Sequence, residues 1–337
     1  MGEVPTRRTF VLRAGTGIAA GALLARARRA TAAAQTALKV VTFPGLTNLP
    51  IFAAEKNGLF AKRGLAVDVI FTPNSKSQRE GLASGKFQII HTAADNAVAM
   101  VELAKADVII VTGGDDGFNR IIVQPDISSL SDLRGKTLVV DAPNTAFALL
   151  LYKALKDVGL SGADYKVNSV GGTPQRLNAM LTDRAHAAAG ILSPPLSFDA
   201  IAAGLKDLGS ATKAVGPYQS GSVVVMRSWA KSNSDTLVRY IQAIVEGRRW
   251  VLDPANKDAV IAMLVATLKL SRDYAAKCYA IVIDPVDGFA KDAKFSMQGF
   301  ENVLKLRAEI EGEWGGHPPA PDRYVDLSYY ARAIAGL

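Results

Sequence analysis

Residues able to do covalent or metal chemistry are sparse in this chain. The one cysteine, Cys278, stands in a run with helical spacing, 272–282, far in sequence from every loop that follows a strand. A lone thiol builds neither a disulfide framework nor a cysteine-based zinc cluster, and on a helix it reads as a small core residue. The histidines His91, His186 and His317 lie far apart, without the i, i+4 pairing of a helical metal site. No metal is expected. His91 ends a strand-like run beside a polar loop, where an isolated imidazole is more often hydrogen-bonded structure than a general base. Ser193-Pro194-Pro195 lacks the Gly-x-Ser-x-Gly elbow of a serine nucleophile. Enzymatic activity is therefore not expected, nor is a cofactor.

Binding chemistry is better represented. Five loops follow strand-like runs and carry small hydroxyl, amide or carboxylate residues where a helix begins: Thr47-Asn48, Asp95-Asn96, Asp115-Asp116-Gly117-Phe118-Asn119, Asp141-Ala142-Pro143-Asn144-Thr145 and Gly171-Gly172-Thr173-Pro174. Helix N-termini offer free N–H groups and partial positive charge to carbonyl or anionic ligand atoms. Each loop on its own is also what helix capping and turn formation produce. Asp95, Asp115, Asp116 and Asp141 outnumber the nearby cations Arg120 and Arg176. A buried carboxylate facing an anion is costly, so these aspartates favour a neutral or amine-bearing ligand.

The elements that must position these loops alternate. Short β-branched runs at 38–43, 65–71, 88–92 and 108–112 are separated by helical patterns at 50–57, 75–84 and 96–105. A second block repeats the rhythm with strands at 137–140, 166–170 and 185–191 and helices at 145–158 and 174–182. Past 223–226 long helices dominate, at 235–252, 256–268, 272–282, 297–310 and finally 322–335. Such alternation signals an α/β fold, and open α/β sheets bind ligands beyond the carboxyl ends of their strands.

The 337 residues suit two α/β lobes, and 49% hydrophobic with 21% charged residues is ordinary globular composition. The net charge of +8 is concentrated at the start, where the first 34 residues hold six arginines and one acid. The remainder, with 33 basic and 30 acidic residues, has no block suited to nucleic acid. Arg7-Arg8, a short Gly/Ala-rich apolar stretch from 14 to 25 and small residues at 30–34 fit a removable signal peptide. About 20 apolar residues would be needed to span a bilayer. Residues 6–12 resemble the twin-arginine signal family, implying export to the periplasm and cleavage near 32–34.

The residues from Pro44-Gly45-Leu46-Thr47-Asn48-Leu49-Pro50 to Asn57-Gly58-Leu59-Phe60 resemble the NMT1/THI5-like substrate-binding proteins of ABC transporters. The turns Asp132-Leu133-Arg134-Gly135-Lys136-Thr137 and Gly171-Gly172-Thr173-Pro174, with Asp253-Pro254-Ala255-Asn256 after a Trp-bearing helix, extend the resemblance over residues 38–310. It implies the type II periplasmic-binding fold: two α/β lobes, a ligand cleft and two interlobe crossings, near 116–120 and 216–222. The first lobe would comprise 35–118 and 218–337, the second 119–217. Carried across by matching loop, the ligand residues would be Thr47, Asn48, Asp95, Asn96, Asn144, Thr145, Gly172 and Thr173, with Asp116 at the first crossing added as a candidate. Phe118, Phe147 and Tyr218 would stack on a flat ligand, although aromatic residues at such spacing also fill cores. Relatives bind nitrate, sulfonates, taurine or pyrimidine precursors, so the expected ligand is a sulfonate, a carboxylate or an amine-bearing heterocycle. The expected partner is an inner-membrane ABC permease, and a monomer is expected. The alternatives are a cleft enzyme of the same fold, resembling the desulfinase or pyrimidine-synthase branches, and a ligand-binding partner of a membrane sensor.

Overall fold

Alternation of apolar and polar residues builds the first sheet. The computed structural model describes residues 35–285 and 287–337; the expected signal segment, 1–34 with its cleavage region, lies outside the described residues. Strand β1 (Thr36–Thr42) buries Leu38, Val40 and Val41 and turns Lys39 to solvent. Helix α1 (Leu49–Lys56) follows with Pro50 in its first turn, where a missing N–H costs nothing. Gly58, at φ 64°, turns the chain into the short α2 (Leu59–Lys62) and β2 (Leu65–Phe71). Helix α3 (Ser75–Ala83) is capped by Asn74, whose side chain accepts from the Ser77 N–H. Strand β3 (Ile89–Ala93) runs directly into α4 (Ala94–Glu102), and β4 (Val108–Thr112), buried throughout, completes this part.

The second α/β unit consists of β5 (Arg120–Val123), β6 (Thr137–Val140), α5 (Ala146–Asp157), β7 (Lys166–Ser169), α6 (Thr173–Thr182), β8 (Ala189–Leu192), α7 (Leu196–Ala202) and β9 (Lys206–Ser210). The chain then returns through β10 (Gly221–Met226) to α8 (Arg227–Ser232), α9 (Ser234–Leu252), α10 (Lys257–Leu268), α11 (Arg272–Val282), α12 (Met297–Glu311) and α13 (Ser328–Ala335). The sheets are ordered β2-β1-β3-β10-β4 and β7-β6-β8-β5-β9. In the first, β1 pairs in parallel with β2 and β3, whereas β10 runs antiparallel to β3 and β4. In the second, β6 is parallel to β7 and β8, and β5 is antiparallel to β8 and β9. Each sheet thus receives one antiparallel strand where the chain crosses over.

Two expected boundaries shift. The strand expected at 185–191 begins at Ala189, because Arg184–His186 form a 3-10 turn, and the final helix begins at Ser328 rather than at 322. No helix among the described residues is long and apolar enough to cross a membrane.

Chain crossings between Thr112 and Arg120 and between Ser210 and Gly221 lie side by side. The Asp115 carbonyl accepts from the N–H groups of Ser220 (3.0 Å) and Gly221 (2.9 Å), and its Oδ1 accepts from Gly117 N–H at 2.9 Å. A Cβ on Gly221 would collide with the Asp115 carboxylate, so this approach requires glycine. Phe118, at φ 52°, occupies the left-handed region rarely used by bulky residues. The Asp116 carboxylate accepts from its N–H at 2.9 Å and helps hold that conformation.

Candidate functional site

The carboxyl ends of strands from both sheets face a common cavity of about 120 Å³. From the first sheet come Thr42 and the loop to Thr47, His91 and Thr92 of β3, Asn96 in the first turn of α4, and Thr112 at the end of β4. Phe118 of the first crossing, Ser220 and Ser222 beside the return, and Ile244 and Arg248 of α9 also line it. From the second come Asp141, Thr145 to Phe147 at the start of α5, Gly172, Thr173 and Arg176 at the start of α6, and Ser193 after β8. Neither α5 nor α6 has a side-chain cap at its start. First-turn N–H groups and the positive ends of both helices therefore meet this space.

Two arginines dominate its electrostatics. Arg176 is 3% exposed; its Nε donates to the Ile191 carbonyl (2.9 Å), Nη1 to the Gly171 carbonyl (2.8 Å) and Nη2 to Thr173 Oγ1 (3.0 Å). None of these partners is a carboxylate. Burial lowers its pKa to about 10, against the opposing field of Asp141, so it remains a cation at neutral pH. Arg248, 4% exposed, donates from Nη1 to the carbonyls of Gly114 (2.6 Å) and Ala290 (3.4 Å) and lies over the Phe289 ring at 4.4 Å. Burial likewise brings it to about 10, with Asp115 opposing. Burial pushes the Asp115 carboxyl upward, countered by Arg248 and two backbone N–H groups.

His91 opens partly to the cavity, yet protein encloses it, and its ring nitrogen Nε2 lies 2.7 Å from Tyr240 Oη. Burial, then the nearby Arg248, push its pKa down to about 3, so the imidazole is neutral. Cys278 is fully buried on α11 in a separate apolar cluster with Leu264 and Tyr279, and burial, with Asp199 nearby, pushes its thiol up to about 12. Among the described residues no group of three His, Cys, Asp or Glu side chains is placed to hold a metal ion. The arrangement supplies hydrogen-bond donors, two cations and apolar walls, which is binding chemistry.

Of the residues singled out by sequence, Thr47, Asn96, Phe118, Thr145, Phe147, Gly172 and Thr173 line this cavity. Asn48, Asp95, Asp116, Asn144 and Tyr218 do not. Asn48 is buried, donating to the Phe43 carbonyl (2.7 Å) and accepting from Thr42 Oγ1 (2.7 Å), so it shapes the loop from behind. Asp95 is held by Arg307 at 2.9 and 2.8 Å. Asp116 turns toward a second, more open groove, and the Asn144 carbonyl accepts from Arg307 at 3.1 Å. Tyr218 also borders that groove and is buried in an apolar core. Asp141 reaches the cavity wall, but its carboxylate accepts from the Ser75 N–H at 3.0 Å, across the cleft. Of the expected acidic face, Asp95 and Asp116 therefore turn away, while Asp115 and Asp141 remain in the cavity wall.

Sequence reasoning missed Arg248, Ser75, Thr92, Thr112, Ser220 and Ser222. Arg248 carried a usable signal. Helix α9 buries Leu237, Tyr240, Ile241, Ile244, Val245 and Val251 on one face, and Arg248 interrupts that stripe. A charge placed among apolar positions at helical spacing must find partners inside.

Fold and cavity together place the molecule in the two-lobed periplasmic-binding-protein fold class. The NMT1/THI5-like family profile matches residues 47–257, and the chain belongs to that family. A proposed ABC transporter periplasmic binding protein of Brachyspira hyodysenteriae is 27% identical over 227 residues, covering 63% of this chain. The match spans 64% of that relative's length, just under two thirds. The periplasmic nitrate-binding protein NrtA of Synechocystis PCC 6803 superposes with TM-score 0.72 at 13% identity, covering 90% of this chain and 89% of its own. The aliphatic sulphonate binding protein SsuA of Escherichia coli gives 0.66 at 16% identity, covering 88% and 99%. The desulfurization enzyme DszB gives 0.60 at 12%, covering 88% and 99%. At these identities the likeness is one of fold, and the fold is the one the sequence resemblance implies.

Proposed function

We propose that this chain is the solute-binding component of an ABC importer, closing its lobes on a compact organic anion and presenting it to a membrane permease. The carrying observation is Arg176: a buried guanidinium at the cavity, between two uncapped helix starts, with no carboxylate among its hydrogen-bond partners. Asp141 opposes that charge only from beyond hydrogen-bond contact. A buried cation with no carboxylate bonded to it is costly, and an anionic ligand supplies the bonded counter-charge. Phe43, Phe118, Phe147, Pro194 and Ile244 in the walls favour an apolar body on that anion. A dry cavity of about 150 Å³ holds benzene, so this space suits a ligand of roughly six to eight non-hydrogen atoms. A small carboxylate or sulfonate fits both requirements and displaces the amine-bearing ligand favoured by the aspartate count, because Asp95 and Asp116 turn away from the cavity while Asp115 and Asp141 face the cations Arg248 and Arg176.

The lobe boundaries 35–118 with 218–337, and 119–217, are part of this reading, supported by the second sheet lying wholly within 119–217. So are export by the twin-arginine segment, a monomeric state and a periplasmic location, the last in keeping with the relatives' names. A thermal-shift panel on residues 35–337 tests the whole. Isobutyrate, butyrate and isethionate are set against nitrate, small amines and neutral heterocycles. At 100 times its dissociation constant a ligand adds about 2.7 kcal/mol, or about 5 °C at this chain length. The expected pattern is stabilisation by the organic anions, lost in Arg176→Gln. Stabilisation by amines alone would overturn the ligand class, and steady consumption of ligand would point instead to an enzyme.

A further inference from the structure

Helix α12 follows the return crossing in sequence, yet it touches both lobes. Around its start, Ser296 N–H donates to Gln219 Oε1 at 2.7 Å, and Gly299 lies so close to the Tyr218–Gln219 backbone that a Cβ would meet Gln219 N at 2.8 Å. Asn302 Nδ2 donates to the carbonyls of Val215 (3.1 Å) and Pro217 (2.8 Å), clamping the same crossing. Near its end, Glu309 pairs with Lys153 (3.5 Å) and Lys156 (3.1 Å) of α5 in the second lobe. Phe300, Val303 and Leu304 share one apolar core with Leu150, Ala154 and Leu155 of that helix.

Between these contacts stands Arg307, fully buried. It grips both oxygens of Asp95, donates from Nη1 to Glu313 at 2.9 Å, and donates from Nη2 to the Asn144 carbonyl at 3.1 Å. Asp95 immediately precedes Asn96 at the cavity in the first lobe, and Asn144 immediately precedes Thr145 at the cavity in the second. One guanidinium thus fastens, from behind, the two loops that face each other across the cleft.

We propose that Arg307 is a positioning residue of the binding site, the bolt by which α12 sets the spacing of the two lobes. The inference rests on the reading of the cleft as the ligand site, but the contacts that set the spacing contain no ligand atom. Opening then occurs at the rim, where Asp141 meets Ser75 N–H and Gly172 N–H meets the Pro73 carbonyl at 3.0 Å, while α12 stays seated on α5.

Spin labels on Lys76→Cys and Asn178→Cys, exposed positions on opposite lobes, read the spacing directly, because Cys278 is buried and escapes labelling. In protein without added ligand, the parent pair reads the rim's own opening and sets the reference distribution. Arg307→Lys keeps a cation against Asp95 but loses the forked reach to Asn144; it should lengthen and broaden the distance by several ångströms. Glu309→Lys, at a partly exposed site that spares the buried pair, should do the same and carries the test if Arg307→Lys misfolds. Isobutyrate dissociation should accelerate about tenfold in Arg307→Lys, the loss of one charge-assisted hydrogen bond, and in the same direction in Glu309→Lys. Variants that melt normally and keep the parent's distances would overturn the proposal. Distances that respond while no small anion binds would sink the transport reading and leave the bolt standing.

Discussion

A buried carboxylate that keeps its charge at neutral pH leaves a signature in stability, and Asp116 is the clearest case. Burial, reinforced by Asp115 and Asp287 and partly relieved by the Phe118 N–H, raises its pKa from 3.8 to about 6. The native state therefore holds this proton more tightly than the unfolded chain does. The corresponding stability is present below pH 3.8 and is lost as pH rises through about 6. Asp116→Asn keeps an acceptor for Phe118 N–H and removes the charge. It should match the parent at pH 4 and exceed it by about 3 kcal/mol at pH 7.5, measured by urea unfolding at both values. Equal gains at the two pH values would dissociate the effect from titration. His91 supplies the opposite limb, since its depressed pKa makes stability fall as pH drops below 6.5 toward 3, and His91→Gln should flatten that limb. At Gly221 the constraint is steric: Gly221→Ala should cost about 1–3 kcal/mol as the crossing yields to the added Cβ, read from the shift in urea midpoint. None of this was legible from residue types. Asp95 and Asn96 are neighbours in the sequence, yet one faces the cavity and the other a guanidinium 212 positions away. Side-chain direction at a helix start is set by which turn the strand enters, and no periodicity reports that.

At the scale of elements the sequence was far more informative. The runs at 65–71, 108–112 and 137–140 match β2, β4 and β6 to the residue, because β-branched runs bounded by turn residues have few alternatives. Strand β9 escaped notice since Lys-Asp-Leu-Gly-Ser has no β-branched residue; it is a strand only through its pairing with β5 at the sheet edge. Strand β5, Arg-Ile-Ile-Val, does carry the β-branched signal but escapes notice beside the first crossing, whereas helix α7 follows Pro194-Pro195 in a stretch without a clear period. Close packing adds a constraint that sequence alone does not mark. Helix α9 approaches α1 so closely that a Cβ on Gly247 would strike the Pro50 carbonyl. Gly247→Ala would gain about 1 kcal/mol in helix propensity in isolation. Here the clash should outweigh it, giving a net loss of about 1–2 kcal/mol in chemical denaturation as the two helices separate. A gain instead would mean that α1 moves freely, and with it the Phe43–Thr47 loop that lines the cavity.

For the whole molecule, the question is whether two lobes joined by two crossings behave as two folding units. The apolar core answers at the level of contacts. Val41 and Ile90 of the first sheet, Leu138 and Ile191 of the second, Leu150 and Leu155 of α5, and Phe300 and Val303 of α12 belong to one buried cluster. Unfolding the second lobe alone would strip α12 and α4 of the cover that α5 gives them. At about 25 cal/mol per Å² of newly exposed apolar surface, such a half-unfolded state is strongly disfavoured. It would also leave the Asp95–Arg307 pair without the Asn144 carbonyl. We therefore expect one calorimetric transition for residues 35–337, with calorimetric and van't Hoff enthalpies that agree, although chains beyond about 150 residues usually depart from two-state behaviour. A small carboxylate bound in the cleft should move that single peak upward without splitting it, because it too contacts both lobes. Glu309→Lys, which sets three cations against one another at the α5–α12 seam, should broaden the peak or separate a lower-temperature shoulder from it. Two resolved transitions in the parent protein would mean that the shared core does not couple the lobes, and that the crossings alone hold the cleft together.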